Sequence, residues 1–137
     1  MEPPLDRAKF QHAKRSLLYA GKSDIIDMAE VASIMKNECL VCDPHEARRL
    51  SVAVLRGLIQ DGLIWFGDAV PGIADGGLVI DPWAADAEEI ATRIDAEWRN
   101  SERPWLGLYE IGWFTLSEHG RDVARLIKRW PGVIVTD

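Results

Sequence analysis

Apolar residues in the N-terminal half of the chain recur every three or four positions, in three successive segments. This spacing predicts three amphipathic helices, at about residues 5–20, from residue 23 onward and at about residues 44–61. The predicted inner faces comprise Phe10, Ala13 and Leu17 in the first helix, Ile25, Met28, Ala29, Ala32 and Met35 in the second, and Leu50, Val54, Leu55, Leu58 and Ile59 in the third.

Capping residues mark the ends of these helices. Gly21 suits a left-handed C-terminal cap of the first helix, and Ser23 is expected to cap the second. In the sequence DPHE at residues 43–46, we expect the Asp43 side chain to accept from the backbone N–H of Glu46, while Glu46 reaches back to the cap. Gly62 is expected to close the third helix.

Short apolar runs in the second half of the chain predict strands. GLIWFGD predicts a strand at residues 63–66 that ends at Gly67, and EIGWFTLSEHG predicts one at residues 111–115, followed by a helix capped by Ser117. If these two strands pair, their Trp-Phe sequences form an aromatic cross-strand ladder. Residues 67–110 between them hold a predicted third strand at residues 78–80.

The same segment contains a predicted helix at about residues 86–99, with an apolar stripe of Ile90, Ile94 and Trp98. Its Glu89–Arg93 and Asp95–Arg99 spacings predict ion pairs along the helix. The chain has 137 residues, the size of one domain, and a net charge of −6. Nine acidic and two basic residues give residues 68–102 a net charge of −7, so the acidity is local to this segment.

The N-terminal sequence MEPPLDRAKF lacks the basic-then-apolar order of a secretory signal, and no apolar run approaches the roughly 20 residues of a membrane span. Two cysteines without such a signal are typical of a reducing compartment. The sequence therefore predicts a cytoplasmic protein that does not contact membranes.

Cys39, Cys42 and His45 have C-x-x-C-x-x-H spacing, which is found in some metal and redox sites. A structural zinc site needs four ligands, and a fourth from His12 or His119 would require a tertiary contact. In thioredoxin-like sites the first cysteine begins a helix, whereas here the predicted helix begins after the second. We therefore favour a connecting loop over zinc or redox chemistry.

Motifs of catalytic sites are absent from the sequence. It contains no G-x-S-x-G, no G-x-x-x-x-G-K-[ST] and no H-E-x-x-H, and the glycines of GIADGG lack the G-x-G-x-x-G order. We predict no catalytic residues, no cofactor and no metal, and therefore a protein that is not an enzyme.

Three predicted helices are followed by VLRGLIQDGLI, a strand pair and FTLSEHGRDVARLI. The last phrase resembles the LTxxG strand-to-helix junction of winged helix-turn-helix proteins such as the MarR and PadR families of bacterial regulators. The resemblance covers residues 23–66 and 111–130, about half of the chain. It implies an α+β, mostly helical fold over residues 1–137, a single winged-helix domain whose wing is enlarged by the acidic helical insertion at about residues 67–110.

The resemblance implies a transcriptional regulator that binds double-stranded DNA, as a homodimer, through its third helix. Its candidate DNA-binding residues here are His45, Arg48, Arg49 and Arg56. Two further basic stripes lie on the first helix, at Arg7, Lys14 and Arg15, and on the last, at Arg121, Arg125 and Lys128 or Arg129. For each of these two stripes we favour a solvated helix face over contact with phosphates.

Two features disagree with DNA binding: the wing is acidic, and the turn at residues 37–42 is longer than in a standard helix-turn-helix. The alternative hypothesis is a winged-helix interaction module without DNA binding. Its acidic insertion and tryptophans would bind a basic protein, with Trp83, Glu89, Trp98 and Trp105 as candidate contacts.

Overall fold

A computed structural model describes residues 3–72, 77–107 and 110–135. Within these ranges the chain forms an α+β fold with five helices and one four-stranded antiparallel sheet, which confirms the predicted class. In chain order the elements are α1 (Arg7–Ala20), β1 (Ile26–Asp27), α2 (Met28–Asn37), α3 (Pro44–Gln60), β2 (Ile64–Pro71), β3 (Leu78–Pro82), α4 (Ala87–Asn100), β4 (Trp113–Leu116) and α5 (Glu118–Ala124).

The segment between α1 and α2 differs from the prediction. Gly21 has a right-handed φ of −68°, so it is not a left-handed cap. A β-carbon at Gly21 would contact Leu116 at 2.9 Å, so its small size serves packing. The N-cap of α2 is Asp27, whose side chain accepts from Glu30 N, and not Ser23. The reason is tertiary: Ile26 and Asp27 are extended because they pair with β4.

Helix α3 begins at Pro44 as predicted, but without the expected capping box. The Asp43 side chain makes no capping hydrogen bond. Glu46 instead accepts from Arg49 one turn later, at 2.9 Å. At the other end Gly62 has a φ of +72°, a left-handed conformation that confirms its predicted role.

The sheet order is β1-β4-β2-β3, so the last strand lies between the first two. Phe66 of β2 is paired with Phe114 of β4, and both side chains are buried, which confirms the predicted pairing of the two strands. Trp65 is paired with Thr115, and Trp113 with Gly67, so the two tryptophans are diagonal and not directly opposite. Strand β2 continues past Gly67 because residues 67–71 pair with β3.

Helices α1, α2 and α3 pack around one core with the inner face of the sheet. Its largest fully buried side chains are Phe66, Phe114, Leu17, Met28, Met35, Leu55, Leu58 and Ile94. Phe10, which the sequence placed on the inner face of α1, is only partly buried against this core.

Ser117 joins the end of β4 to the end of α3. Its Oγ donates to the Gly62 carbonyl at 2.5 Å and accepts from Gly120 N at 2.9 Å, which confirms its predicted capping role. Gly120 lies so close to Leu63 that a β-carbon there would overlap with the Leu63 carbonyl oxygen. The predicted junction motif therefore fixes α5 against the start of β2. No helix in the described ranges has the length and apolar character needed to cross a membrane.

Candidate functional site

Helix α4 lies along α3. Its predicted stripe of Ile90, Ile94 and Trp98 is buried in the common core, with Ile94 fully inaccessible. Arg48, near the start of α3, contacts Asp95 in the second half of α4, whereas Arg56, near the end of α3, contacts Glu88 at the start of α4. The two helices therefore run antiparallel, and the acidic insertion covers the face of α3 that carries Arg48 and Arg56.

Arg48 is the central residue of this contact. Its side chain is 7% exposed and is ion-paired with Asp95, which also accepts from Arg99 Nε at 2.9 Å. A second guanidinium nitrogen of Arg48 lies 2.6 Å from His45 Nδ1. The Asp95–Arg99 ion pair confirms the prediction. Arg93 was predicted to pair with Glu89, but it pairs with Glu97, four residues later, at 2.9 Å.

The other DNA-binding candidates also have acidic or backbone partners. Arg49 donates to Glu46 at 2.9 Å and to the carbonyl oxygen of Pro3 at 2.7 Å. Arg56 contacts Glu88 at 3.4 Å, with about half of its side chain exposed. Because a carboxylate from the same chain neutralises each of the three arginines, α3 presents much less positive charge than its sequence indicates.

The four candidates for protein binding lie in different environments. Trp98 is 4% exposed and belongs to the core, so it is not accessible to a partner. Trp105 is half-buried with Lys36 Nζ 5.0 Å above its ring. Trp83 is half-buried too, between Phe66 and the Arg93 guanidinium, and donates to Asp68 at 3.1 Å. Of the four, only Glu89 is exposed.

Sequence reasoning missed the apolar outer face of the sheet, opposite the core. Alternation along the paired strands places Trp65, Ala69, Leu78, Ile80 and Trp113 on it. Trp65 is 56% and Leu78 47% exposed, which is unusual for side chains of this size. The available signal was the Trp-Phe sequence itself, because adjacent strand residues point to opposite faces and only one of them enters the core.

A cavity of about 370 Å³ indents this outer face and is lined by Asp68, Ala69, Leu78, Ile111, Gly112 and Trp113. Ile111 has a φ of +72°, a conformation that is strained for a β-branched residue and explains why β4 begins after it. The next residue is Gly112. A β-carbon at this position would lie too close to the Phe66 ring and the Gly67 carbonyl oxygen.

A basic surface lies elsewhere, where α1 contacts α5. Lys22, Leu116, Arg121 and Arg125 line a cavity of about 260 Å³. Lys22 donates to the Ile127 carbonyl at 3.0 Å, and Arg125 pairs with Asp122 at 2.7 Å. Arg121 is exposed.

The three residues with C-x-x-C-x-x-H spacing lie in different environments. Cys39 is fully buried, Cys42 is exposed, and His45 faces Arg48. Burial raises the pKa of the Cys39 thiol to about 11, and the nearby Glu38 carboxylate adds to this rise. A neutral thiol is a poor metal ligand and nucleophile. In the described part of the chain, no three His, Cys, Asp or Glu side chains form a group that could hold a metal ion.

Comparisons of this chain with protein-family models, with curated proteins and with solved structures gave no match.

Proposed function

We propose that the protein is a winged-helix protein-interaction module that binds a basic partner through its acidic insertion, and that α3 does not bind DNA bases. The element order supports a winged-helix arrangement. Three helices are followed by β2, the returning strand β4 lies between β1 and β2, and β3 and α4 lie between β2 and β4 in the chain, where a winged helix would have its wing.

The position of α4 on α3 is the observation that carries this proposal. A recognition helix must leave one face open to the major groove, whereas here Asp95 pairs with Arg48, and Glu88 with Arg56. Burial of Ile90 and Ile94 alone is worth about 3–6 kcal/mol, which is a large share of the roughly 5–15 kcal/mol that stabilises a domain. Helix α4 is therefore an integral part of the fold and not a removable cover.

The charge of the insertion favours a basic partner. Asp81, Asp86, Glu88 and Glu89 are exposed, and residues 68–102 carry a net charge of −7. Such a surface attracts lysine- and arginine-rich segments and repels phosphates. Exposed charges of this kind chiefly accelerate association and select the partner, so we expect binding to be sensitive to salt.

The test uses a fluorescently labelled lysine oligomer and a labelled mixed-sequence duplex, each titrated with protein at about 50 and 200 mM salt. We expect the lysine oligomer to bind, and the double variant Glu89→Lys/Glu102→Lys to weaken this binding several-fold. Both residues are exposed. Glu89→Lys alone is compared with Glu118→Lys, which changes the charge by the same amount at an exposed acid on α5 and should leave binding unchanged. Tighter binding of the duplex than of the oligomer would overturn the proposal.

The second candidate function is that of a DNA-binding regulator, acting as a homodimer. It is favoured by the basic surface formed by α5 and the segment after α1, where Lys22, Arg121 and Arg125 surround one cavity. Phosphates could bind there without displacement of α4. If duplex binding is observed, Arg121→Glu should reduce it strongly while Arg49→Ala should not, because Arg49 is already paired with Glu46.

A further inference from the structure

We propose that β3 (Leu78–Pro82) receives an extended, basic segment of the partner as an added β-strand. This inference rests on the proposed function, since it names the surface and the mode by which a basic protein is bound. Strand addition uses main-chain hydrogen bonds for affinity and alternate side chains for specificity.

The backbone of β3 is suited to this role because it forms the edge of the sheet. Within residues 3–72, 77–107 and 110–135, β2 pairs with one side of β3 and no strand pairs with the other. Trp83 N donates to Phe66 O and Gly72 N to Gly77 O, which fixes the alternation of the ladder. It follows that Val79 and Asp81 bond β2, whereas the N–H and C=O groups of Leu78 and Ile80 point outward.

The side chains of β3 divide between two faces, only one of which carries a charge, that of Asp81. Leu78 and Ile80 belong to the apolar outer face, which continues into Ala69 and Trp65. Val79 and Asp81 point to the opposite face, where Asp81 is paired with Asp68, and both aspartates are exposed. An added strand would therefore place one set of alternate residues beside Leu78 and Ile80, and the other set beside Val79 and the Asp81 carboxylate, which has Asp68 on its other side. The matching segment alternates apolar residues with lysine or arginine.

A second copy of the chain fits this edge poorly. Exposed Asp81 lies on the edge strand and Pro82 ends it, and both are features that discourage sheets from pairing edge to edge. Self-association would also bring together two segments that each carry a net charge of −7. The same charge attracts a basic strand, so charge complementarity selects a basic partner over a second copy.

The probe is a capped peptide in which lysine and valine alternate. Its length of about seven residues is typical of a strand. Its controls are a peptide of the same composition with the lysines and valines in separate blocks, and an alternating peptide with glutamate in place of lysine. Binding is followed by tryptophan fluorescence and confirmed by calorimetry. The alternating lysine peptide should bind more tightly than both controls.

Ile80→Pro removes the outward N–H without removing a hydrogen bond to β2, because the Ile80 N–H points away from that strand. Its matched control, Ile80→Ala, loses the side chain but keeps the N–H. We expect Ile80→Pro to bind the peptide about tenfold more weakly than Ile80→Ala. Asp81→Lys leaves the backbone intact and should also weaken binding, which keeps the test decisive if the proline variant folds poorly.

Three results would overturn strand addition. They are equal binding of the block and alternating peptides, equal binding of the alternating peptide by the two Ile80 variants, and no binding at about 1 mM peptide. A dimer in sedimentation analysis that dissociates in Ile80→Pro would identify a second copy as the occupant and also overturn it. If strand addition fails by one of these results but lysine-oligomer binding persists and depends on Glu89 and Glu102, the proposed function still stands. If that binding is absent too, both fail.

Discussion

The Arg48 guanidinium on α3 is buried against the Asp95 carboxylate on α4, so the acidic insertion is joined to the helix that its sequence suggested for DNA binding. The pair joins residues 47 positions apart. A buried arginine is costly without a partner, and Asp95 is its partner here. This contact explains how the arginines of α3 and the negative charge of the insertion coexist in one small domain.

Removal of Asp95 should therefore destabilise the protein markedly. We expect Asp95→Ala to lower the free energy of unfolding by about 3 kcal/mol, because Arg48 would be left buried without a counter-charge. Urea denaturation followed by tryptophan fluorescence measures the change. Glu97→Ala is the control, since its pair with Arg93 is exposed and should contribute less than about 1 kcal/mol. Equal effects of the two substitutions would contradict the structural importance of the Arg48–Asp95 pair.

The insertion helix should behave as part of the core. Ile94 is fully buried, and Ile94→Ala should reduce stability by about 2–5 kcal/mol through lost burial and the cavity that remains. Thr92→Ala, at an exposed position of the same helix, should change stability by less than about 0.5 kcal/mol. Urea titration measures these changes, and we expect a single unfolding transition for the whole chain. An early separate transition of α4 would show that it unfolds independently and could uncover α3.

Two glycines should differ in their sensitivity to alanine for different reasons. At Gly120 a β-carbon would overlap with the Leu63 backbone, which cannot move without disturbing β2, so Gly120→Ala should cost about 3 kcal/mol or more. At Gly62 a β-carbon has open space, and only the φ of +72° is unfavourable, so Gly62→Ala should cost about 1–2 kcal/mol. Thermal denaturation of both variants gives the comparison. A larger loss at Gly62 would be inconsistent with the close approach of α5 to β2.

The two cysteines should react at very different rates. Cys42 is exposed, whereas Cys39 is buried with a thiol pKa of about 11. A thiol reagent at neutral pH should modify Cys42 first, and Cys39 only as the protein unfolds. Cys42→Ser should abolish the rapid phase. Rapid modification of both thiols in the native protein would show that Cys39 is accessible.

The raised pKa of Cys39 also predicts a dependence of stability on alkaline pH. The unfolded thiol ionises near pH 9, whereas the folded thiol keeps its proton until about pH 11. Its contribution is fully present below pH 9 and is lost as the pH rises toward 11, because ionisation then favours the unfolded state. Cys39→Ala should remove this part of the decline. An identical pH profile for the wild type and the variant would contradict the buried thiol.

Hydrophobic spacing in the sequence was sufficient to locate the helices and the strands β2, β3 and β4, because it acts within a few residues, whereas the predicted caps were only partly correct. The stripe of α4, the glycine after α3 and the Ser117 cap are local signals that were correct. Signals that depend on distant partners failed. Ser23 is a good cap by composition, yet pairing of Ile26 with Phe114 delays α2 until Met28.

The candidate site depended even more on tertiary structure. The sequence by itself determined that α3 is rich in arginine, that residues 68–102 are acidic and that two strands carry Trp-Phe. Only the fold decided that Arg48 pairs with Asp95, that Trp65 remains exposed outside the core, and that β3 forms an edge of the sheet. The physical reason is that charge and hydrophobicity belong to residues, whereas exposure and partnership depend on what the folded chain brings beside them.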